Sequence, residues 1–111
     1  MKDDLVYLRH IAESIRRVEE NTRGGQQAFL SSHTIQDAVL RNLQTLAEST
    51  QRLSADAKAE QPAVDWRAIS GFRNVLVHNY LGLDMEQVWI VVDRDVPPLK
   101  TAIYDMLSRR S

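Results

Sequence analysis

Apolar side chains recur every three or four positions in long stretches of the chain, with charged side chains between them. This spacing is typical of amphipathic helices. The first stretch covers residues 3–22, where Asp3 or Asp4 can cap the helix start and a glycine pair follows the end. The second covers residues 35–53, and we expect a turn at residues 26–30 before it. The two apolar stripes comprise Leu5, Leu8, Ile11, Ile15, Val18, Ile35, Val39, Leu43, Leu46 and Leu53.

A loop and a third helix are predicted next. Residues 54–65 (SADAKAEQPAVD) are rich in small and polar residues and include Pro62, so we predict a loop there. Asp65 can then cap the third helix. The apolar positions of that helix are Trp66, Ile69, Phe72 and Leu76.

The run VWIVV at residues 88–92 allows two interpretations. Its β-branched and aromatic side chains favour a strand. However, Asp84 followed by Gln87 has the spacing of a helix N-terminus, and the chain offers no second strand for pairing. We therefore predict a short buried helix here, followed by a last helix that starts at Asp95 and two prolines. The buried stripe of the last helix is predicted to be Leu99, Ile103, Met106 and Leu107.

These segments predict a single all-α domain over residues 1–111, built as a bundle of four to five helices. A length of 111 residues with 43% hydrophobic residues suffices for one modest core. The N-terminus carries charges where a signal peptide would be apolar. The longest apolar run is also too short to cross a bilayer. We therefore expect a soluble cytoplasmic protein that has no membrane partner.

Charge and composition narrow the possible chemistry. The net charge of −1 indicates no global basic field, so any RNA would have to meet a local patch. Cysteine is absent, which excludes disulfides, thiolate metal sites and a thiol nucleophile. The histidines at 10, 33 and 78 lack the spacing of paired metal ligands, so we predict no metal site. Glu48, in a largely apolar or small-residue part of the second helix, is a weak candidate by itself.

The octapeptide RNVLVHNY at residues 73–80 concentrates the polar candidates. Its side chains could simply face water at a helix end, but their spacing also permits a site. Asn74 and His78 are four apart, so the amide could hydrogen-bond the imidazole. Arg73 and Tyr80 are seven apart and share a stripe. Arg73 and His78 differ by about 140° on a regular helix. They would therefore meet at one phosphate only through a break at residues 77–79 or a contribution from a second subunit.

FRNVLVHNY resembles the R-x4-H-x-Y signature of HEPN-domain proteins of the HepT kind, the toxins of HepT/MntA toxin–antitoxin modules. The resemblance extends over nearly the whole chain. DAVLRNLQTLAE is similar to the family pattern AVxRxLxxxGEA, and residues 66–74 match W-x-x-I-x-G-x-R-N. The VW pair and the later DVPPL resemble the family's C-terminal pattern. One departure is visible: Ala47 and Ser49 flank Glu48 where the family has Gly and Ala.

The resemblance implies a HEPN-type fold and a metal-independent endoribonuclease that works as a homodimer without a cofactor. It implies that His78 moves protons, that Arg73 neutralises the reacting phosphate, and that Asn74 and Asn79 orient them. It also implies that Tyr80 is the residue to which an MntA-like nucleotidyltransferase antitoxin transfers AMP. RNA would then be the substrate and the antitoxin the cognate partner of a type VII toxin. The alternative is a non-catalytic HEPN module that binds a nucleotide or docks a nucleotidyltransferase.

Overall fold

A computed structural model describes residues 3–78 and 82–110, and every regular element within those two ranges is helical. This confirms the predicted all-α bundle. Four long elements form it, namely α1, α3, α5 and a continuous stretch that contains α6 and α7, and two single-turn helices connect them. In chain order the elements are α1 (Asp3–Asn21), α2 (Gln26–Leu30), α3 (His33–Arg52), α4 (Ala55–Ala59), α5 (Trp66–His78), α6 (Met85–Ile90), a π-helical turn (Val91–Asp95) and α7 (Val96–Ser108).

The core lies where α1 and α3 pack together, with α5 against α3 and α7 against α1. The predicted apolar stripes supply it, because most of their side chains are buried. Among them, Leu8, Ile11, Ile15, Val18, Val39 and Ile103 are fully buried. The hydrophobic pattern of the three long helices therefore predicted the centre of the molecule correctly.

The segment at residues 26–30, predicted to be a turn, is the helix α2. Gly25 precedes it with φ of +91°, a conformation that favours glycine and turns the chain back after α1. Phe29 is fully buried, and its ring lies 5.6 Å from that of Trp89. The turn prediction was wrong because a five-residue segment is too short to show helical periodicity.

The predicted loop at residues 54–65 contains the helix α4. The Ser54 hydroxyl accepts a hydrogen bond from the Ala57 amide at 3.0 Å and donates one to the Asp4 carboxylate at 2.7 Å. The Ser54 amide also donates to Asp4 at 2.9 Å. Burial would raise the pKa of Asp4, but these two hydrogen bonds, together with the nearby positive charge of Arg110, outweigh it and hold the pKa below its ordinary value. Asp4 is therefore bound to α4 and lies inside α1, and the prediction that it could cap α1 was wrong.

The last two helices form one continuous stretch through the π turn. The helix predicted for VWIVV is present, and Asp84 caps it by accepting a hydrogen bond from the Glu86 amide. The burial prediction was only partly right, because Val88 and Val92 are buried but Ile90 is 37% exposed. In the π turn the Val96 amide donates to the Val91 carbonyl, five residues earlier, which is the wider spacing of this type of helix. Pro97 and Pro98 follow it and have no N–H for the carbonyls of Asp93 and Arg94.

The helix α5 is fixed at its start and along α3. The Trp66 indole donates to the carbonyls of Lys58 and Gln61 at 3.0 and 3.2 Å. Asp65 caps the helix, as predicted, by accepting a hydrogen bond from the Ala68 amide. The Gln51 amide group on α3 donates to the Ser70 carbonyl at 3.1 Å. These contacts hold α5 antiparallel to α3 and so determine which of its side chains face the bundle.

Candidate active site

Three residues of the polar octapeptide lie on α5. Arg73, Asn74 and His78 all belong to this helix, which continues to His78 as its last described residue. The other two predicted site residues, Asn79 and Tyr80, lie outside the described residues.

Arg73 lies on the side of α5 that faces α3. Its side chain is 34% exposed, and its Nη2 atom is 3.5 Å from the Glu48 carboxylate of α3. This distance exceeds the roughly 2.7–2.9 Å of a tight charge-assisted hydrogen bond. The Nε atom of Arg73 is buried and has no hydrogen-bond partner among the residues described. The guanidinium is therefore tethered loosely along one edge, and its outer part remains accessible.

Glu48 is the site residue that the sequence only hinted at. Its carboxylate contacts Arg73, and the Gln44 amide lies 3.4 Å from the same oxygen. Gln44, Glu48 and Gln51 are spaced at i, i+4 and i+7, which places them on one side of α3. The available signal was this polar stripe on an otherwise amphipathic helix. No sequence spacing connects it to Arg73, 25 positions away along the chain.

His78 has a different environment. Its side chain is exposed at the end of α5, as is that of Asn74. Within residues 3–78 the structure shows no hydrogen bond between Asn74 and His78, so the predicted tautomer-fixing contact is absent. Val75 and Val77 are beside them and are 39% and 40% exposed. This side of α5 thus presents an imidazole, an amide and two valines to the surroundings.

Arg73 and His78 do not converge within one copy of the chain. The helix α5 includes both Val77 and His78, so it does not break before His78. Five residues of regular helix separate the two side chains by about 140° around the axis and about 7.5 Å along it. One of them faces α3 and the other is exposed. The break is therefore absent from α5 as far as His78, and the contribution of a second copy stays a prediction.

A groove of about 710 Å³ lies near the site, between α3, α5 and α7. Its walls are largely apolar and include Leu46, Ile69, Phe72, Val96 and Leu99. Phe72 lines the groove, whereas Arg73, the next residue of α5, faces Glu48 of α3 and does not line it. In the described part of the chain, no three His, Asp or Glu side chains are grouped to hold a metal ion. None of the helices there has the length and apolarity needed to cross a membrane.

Comparison with known proteins gives a consistent set of relatives. Residues 11–106 match the family described as Ribonuclease HepT-like. A Thermococcus cleftensis protein named "Probable ribonuclease HepT" is 37% identical over 95 residues, which cover 85% of this chain and 86% of that protein. A Methanocaldococcus jannaschii protein provisionally named as an RNase is 32% identical over 103 residues, covering 92% and 94% of the two chains.

Another relative is longer than this chain. It is a Methanocaldococcus jannaschii protein whose name joins gamma-glutamylcyclotransferase to a provisional RNase, and it is 33% identical over 107 residues. The matched region covers 96% of this chain, which spans about half of that protein (48%). No solved structure matches the chain at a significant level.

Proposed function

Since this chain belongs to the HepT-like ribonuclease family, we propose that it is a metal-independent endoribonuclease and the toxin of a type VII HepT/MntA toxin–antitoxin system. The ribonuclease names of its relatives support the reaction class. The R-x4-H-x-Y motif at Arg73, His78 and Tyr80 supports the assignment of the catalytic and regulatory residues. The arrangement of α5 supports the use of two copies.

The proposed reaction uses the RNA's own 2′-hydroxyl as nucleophile. As the 2′-oxygen bonds to the adjacent phosphorus, its proton passes to the His78 imidazole, a side chain suited to proton exchange near neutral pH. The bond from phosphorus to the 5′-oxygen breaks, and that oxygen takes a proton from the second copy's imidazole. Arg73 stabilises the negative charge on the phosphoryl oxygens. The products are a 2′,3′-cyclic phosphate end and a 5′-hydroxyl end.

The observation that carries the proposed homodimer is the course of α5. Because the helix is regular through His78, one copy holds Arg73 toward α3 and His78 outward. A two-fold axis beside α5 brings the Arg73 of one copy toward the His78 of the other. Val75 and Val77, which are 39% and 40% exposed and lie beside Asn74 and His78, would supply apolar surface to such a contact.

The proposed regulation acts through Tyr80 and rests on the motif. An MntA-like nucleotidyltransferase would join the tyrosine oxygen to the α-phosphorus of ATP, with pyrophosphate as the leaving group. The attached phosphate is anionic and seven positions from Arg73, so it would compete with RNA for the guanidinium.

One observation favours the alternative of a non-catalytic HEPN module. The Glu48 carboxylate lies beside Arg73 and partly offsets its charge, on a chain whose net charge is already −1. A module of this kind would bind a nucleotide or dock a nucleotidyltransferase without cleaving RNA.

RNA cleavage in EDTA by matched variants distinguishes the two functions. We expect the wild-type chain to cleave and leave a cyclic phosphate end, and His78→Ala to lose on the order of 10²–10⁴ in rate. Arg73→Ala should also abolish cleavage. His33→Ala and Arg67→Ala are controls, since both side chains are exposed and lie outside the motif. Cleavage that survives His78→Ala, or that requires added Mg²⁺, would contradict the proposed mechanism.

A further inference from the structure

The polar stripe of α3 contacts α5 at the level of the motif. Gln51 of α3 donates a hydrogen bond to the Ser70 carbonyl of α5. Nearly one turn further along the interface, Glu48 of α3 contacts Arg73 of α5. Glu48 therefore approaches Arg73 from inside the same bundle, and the contact needs no second copy. The Glu48 side chain is 41% exposed, so it lies at the border between the helix interface and the surroundings.

The guanidinium of Arg73 has two usable edges. Nε and Nη2 form one edge, and Nη1 and Nη2 form the other, and each edge can donate two parallel hydrogen bonds. The edge that carries Nε is directed into the bundle, because Nε is buried and Nη2 faces Glu48. A small shift of the Glu48 carboxylate would let its two oxygens meet both donors of this edge, satisfying the unpaired Nε–H. The opposite edge would stay available to a phosphate.

We propose that Glu48 is a positioning residue for the reaction: it holds Arg73 by its inner edge so that the outer edge meets the RNA phosphate. This inference rests on the proposed ribonuclease function and deepens it. Glu48 itself touches neither RNA nor the reacting atoms. Its effect would appear in the transition state, where the orientation of the guanidinium matters most.

A simpler electrostatic role for Glu48 makes the opposite prediction. A carboxylate near a phosphate site repels RNA, so its removal alone would tighten RNA binding and leave the chemical step intact or faster. A positioning role predicts that removal lowers kcat even though RNA binds as well as before, or better. The kinetic constants therefore separate the two roles.

The experiment compares Glu48→Ala, Glu48→Gln and the control Glu19→Ala. Glu19 is a suitable control because it also makes an ion pair between helices, with Lys100 of α7, and is 45% exposed. For each protein we would measure kcat and KM on a cleavable RNA, affinity for a 2′-O-methyl RNA of the same sequence, and the thermal unfolding midpoint. Glu48→Gln keeps one acceptor oxygen and nearly the same volume, so it reports on orientation even if Glu48→Ala destabilises the fold.

We expect Glu48→Ala to lower kcat by roughly 10- to 100-fold with unchanged or tighter RNA binding, because loss of orientation can cost about that much. Glu48→Gln should fall between Glu48→Ala and the wild type, and Glu19→Ala should match the wild type. An unchanged or raised kcat in both Glu48 variants would overturn the inference, as would a loss due entirely to weaker RNA binding. A wild-type chain that cleaves no RNA would instead refute the proposed function itself.

Discussion

Replacing Ser54 by alanine should destabilise the fold through two losses at one position. The hydroxyl accepts from the Ala57 amide as the cap of α4, and it donates to the Asp4 carboxylate of α1. Losing a serine cap costs about 1 kcal/mol. A hydrogen bond to a charged group contributes roughly 1.5–3 kcal/mol, and we take the lower part because Asp4 keeps its bond from the Ser54 amide. Together they predict a loss of about 2.5 kcal/mol, or about 10 °C in the unfolding midpoint for a domain of this size.

The two losses can be separated with a matched variant and with pH. Ser32 caps α3 by accepting from the Ile35 amide at 3.2 Å, and none of its described hydrogen bonds involves a carboxylate. Ser32→Ala should therefore cost only the cap, about 1 kcal/mol, at all pH values. Because the pKa of Asp4 is lowered in the folded chain, its contribution is present above its ordinary value of 3.8 and is lost as the pH falls through the folded value.

The assay is chemical denaturation of the wild type and both variants between pH 7 and pH 3. We expect the loss of unfolding free energy in Ser54→Ala to shrink toward that in Ser32→Ala as the pH falls below 3.8, through the lowered pKa of Asp4. The reasoning would be refuted if the two variants lost the same free energy of unfolding at pH 7 and if that loss did not change on acidification. Such a result would show that the hydrogen bond from the Ser54 hydroxyl to Asp4 contributes no stability.

The remaining predictions concern assembly and regulation. Val77→Asp should shift the mass in light scattering from dimer to monomer and reduce RNA cleavage with it, because it buries a charge in the proposed contact. Val6→Asp, at a similarly exposed valine of α1, should change neither the mass nor the cleavage. A Val77→Asp protein that stays dimeric and active would contradict the proposed interface. Tyr80→Phe should keep its RNA cleavage and resist silencing by the cognate nucleotidyltransferase with ATP, whereas Tyr104→Phe should be silenced like the wild type. AMP found by intact mass on Tyr80→Phe would place the acceptor elsewhere.

The sequence predicted the long helices well because each buries one continuous stripe. Leu8, Ile11, Ile15 and Val18 repeat often enough for their period to be unmistakable, and all four are fully buried. Short elements carry too few residues for a period, so α2 and α4 were missed although Phe29 and Ser54 are essential to their packing and capping. The continuous helix across the prolines was missed because Pro97 and Pro98 are equally compatible with a fresh helix start.

For the candidate site, the sequence predicted only the features that lie within one local motif. Arg73, Asn74 and His78 do share one helix, and their separation around its axis follows from counting residues. The partner of Arg73 could not be found in this way, because Glu48 is brought to it by the packing of α3 on α5. The exposure of His78 likewise depends on which face of α5 the bundle covers. These are properties of tertiary packing, and no spacing along the chain encodes them.

The π turn lets the last long element hold one more residue than a plain helix would hold in the same turn. It lies between α6, which packs on α2, and α7, which packs on α1. Deleting one residue from Val91–Asp95 would restore a plain helix, and α7 would keep nearly the same rotation relative to α6, because the wider turn is what accommodates the extra residue. Leu99 and Ile103 would stay in the core, and Trp89 would stay against Phe29. The same deletion inside α7 would turn every later side chain by about 100°. The largely exposed π turn is therefore the place where this element can change its length by one residue without disturbing the core.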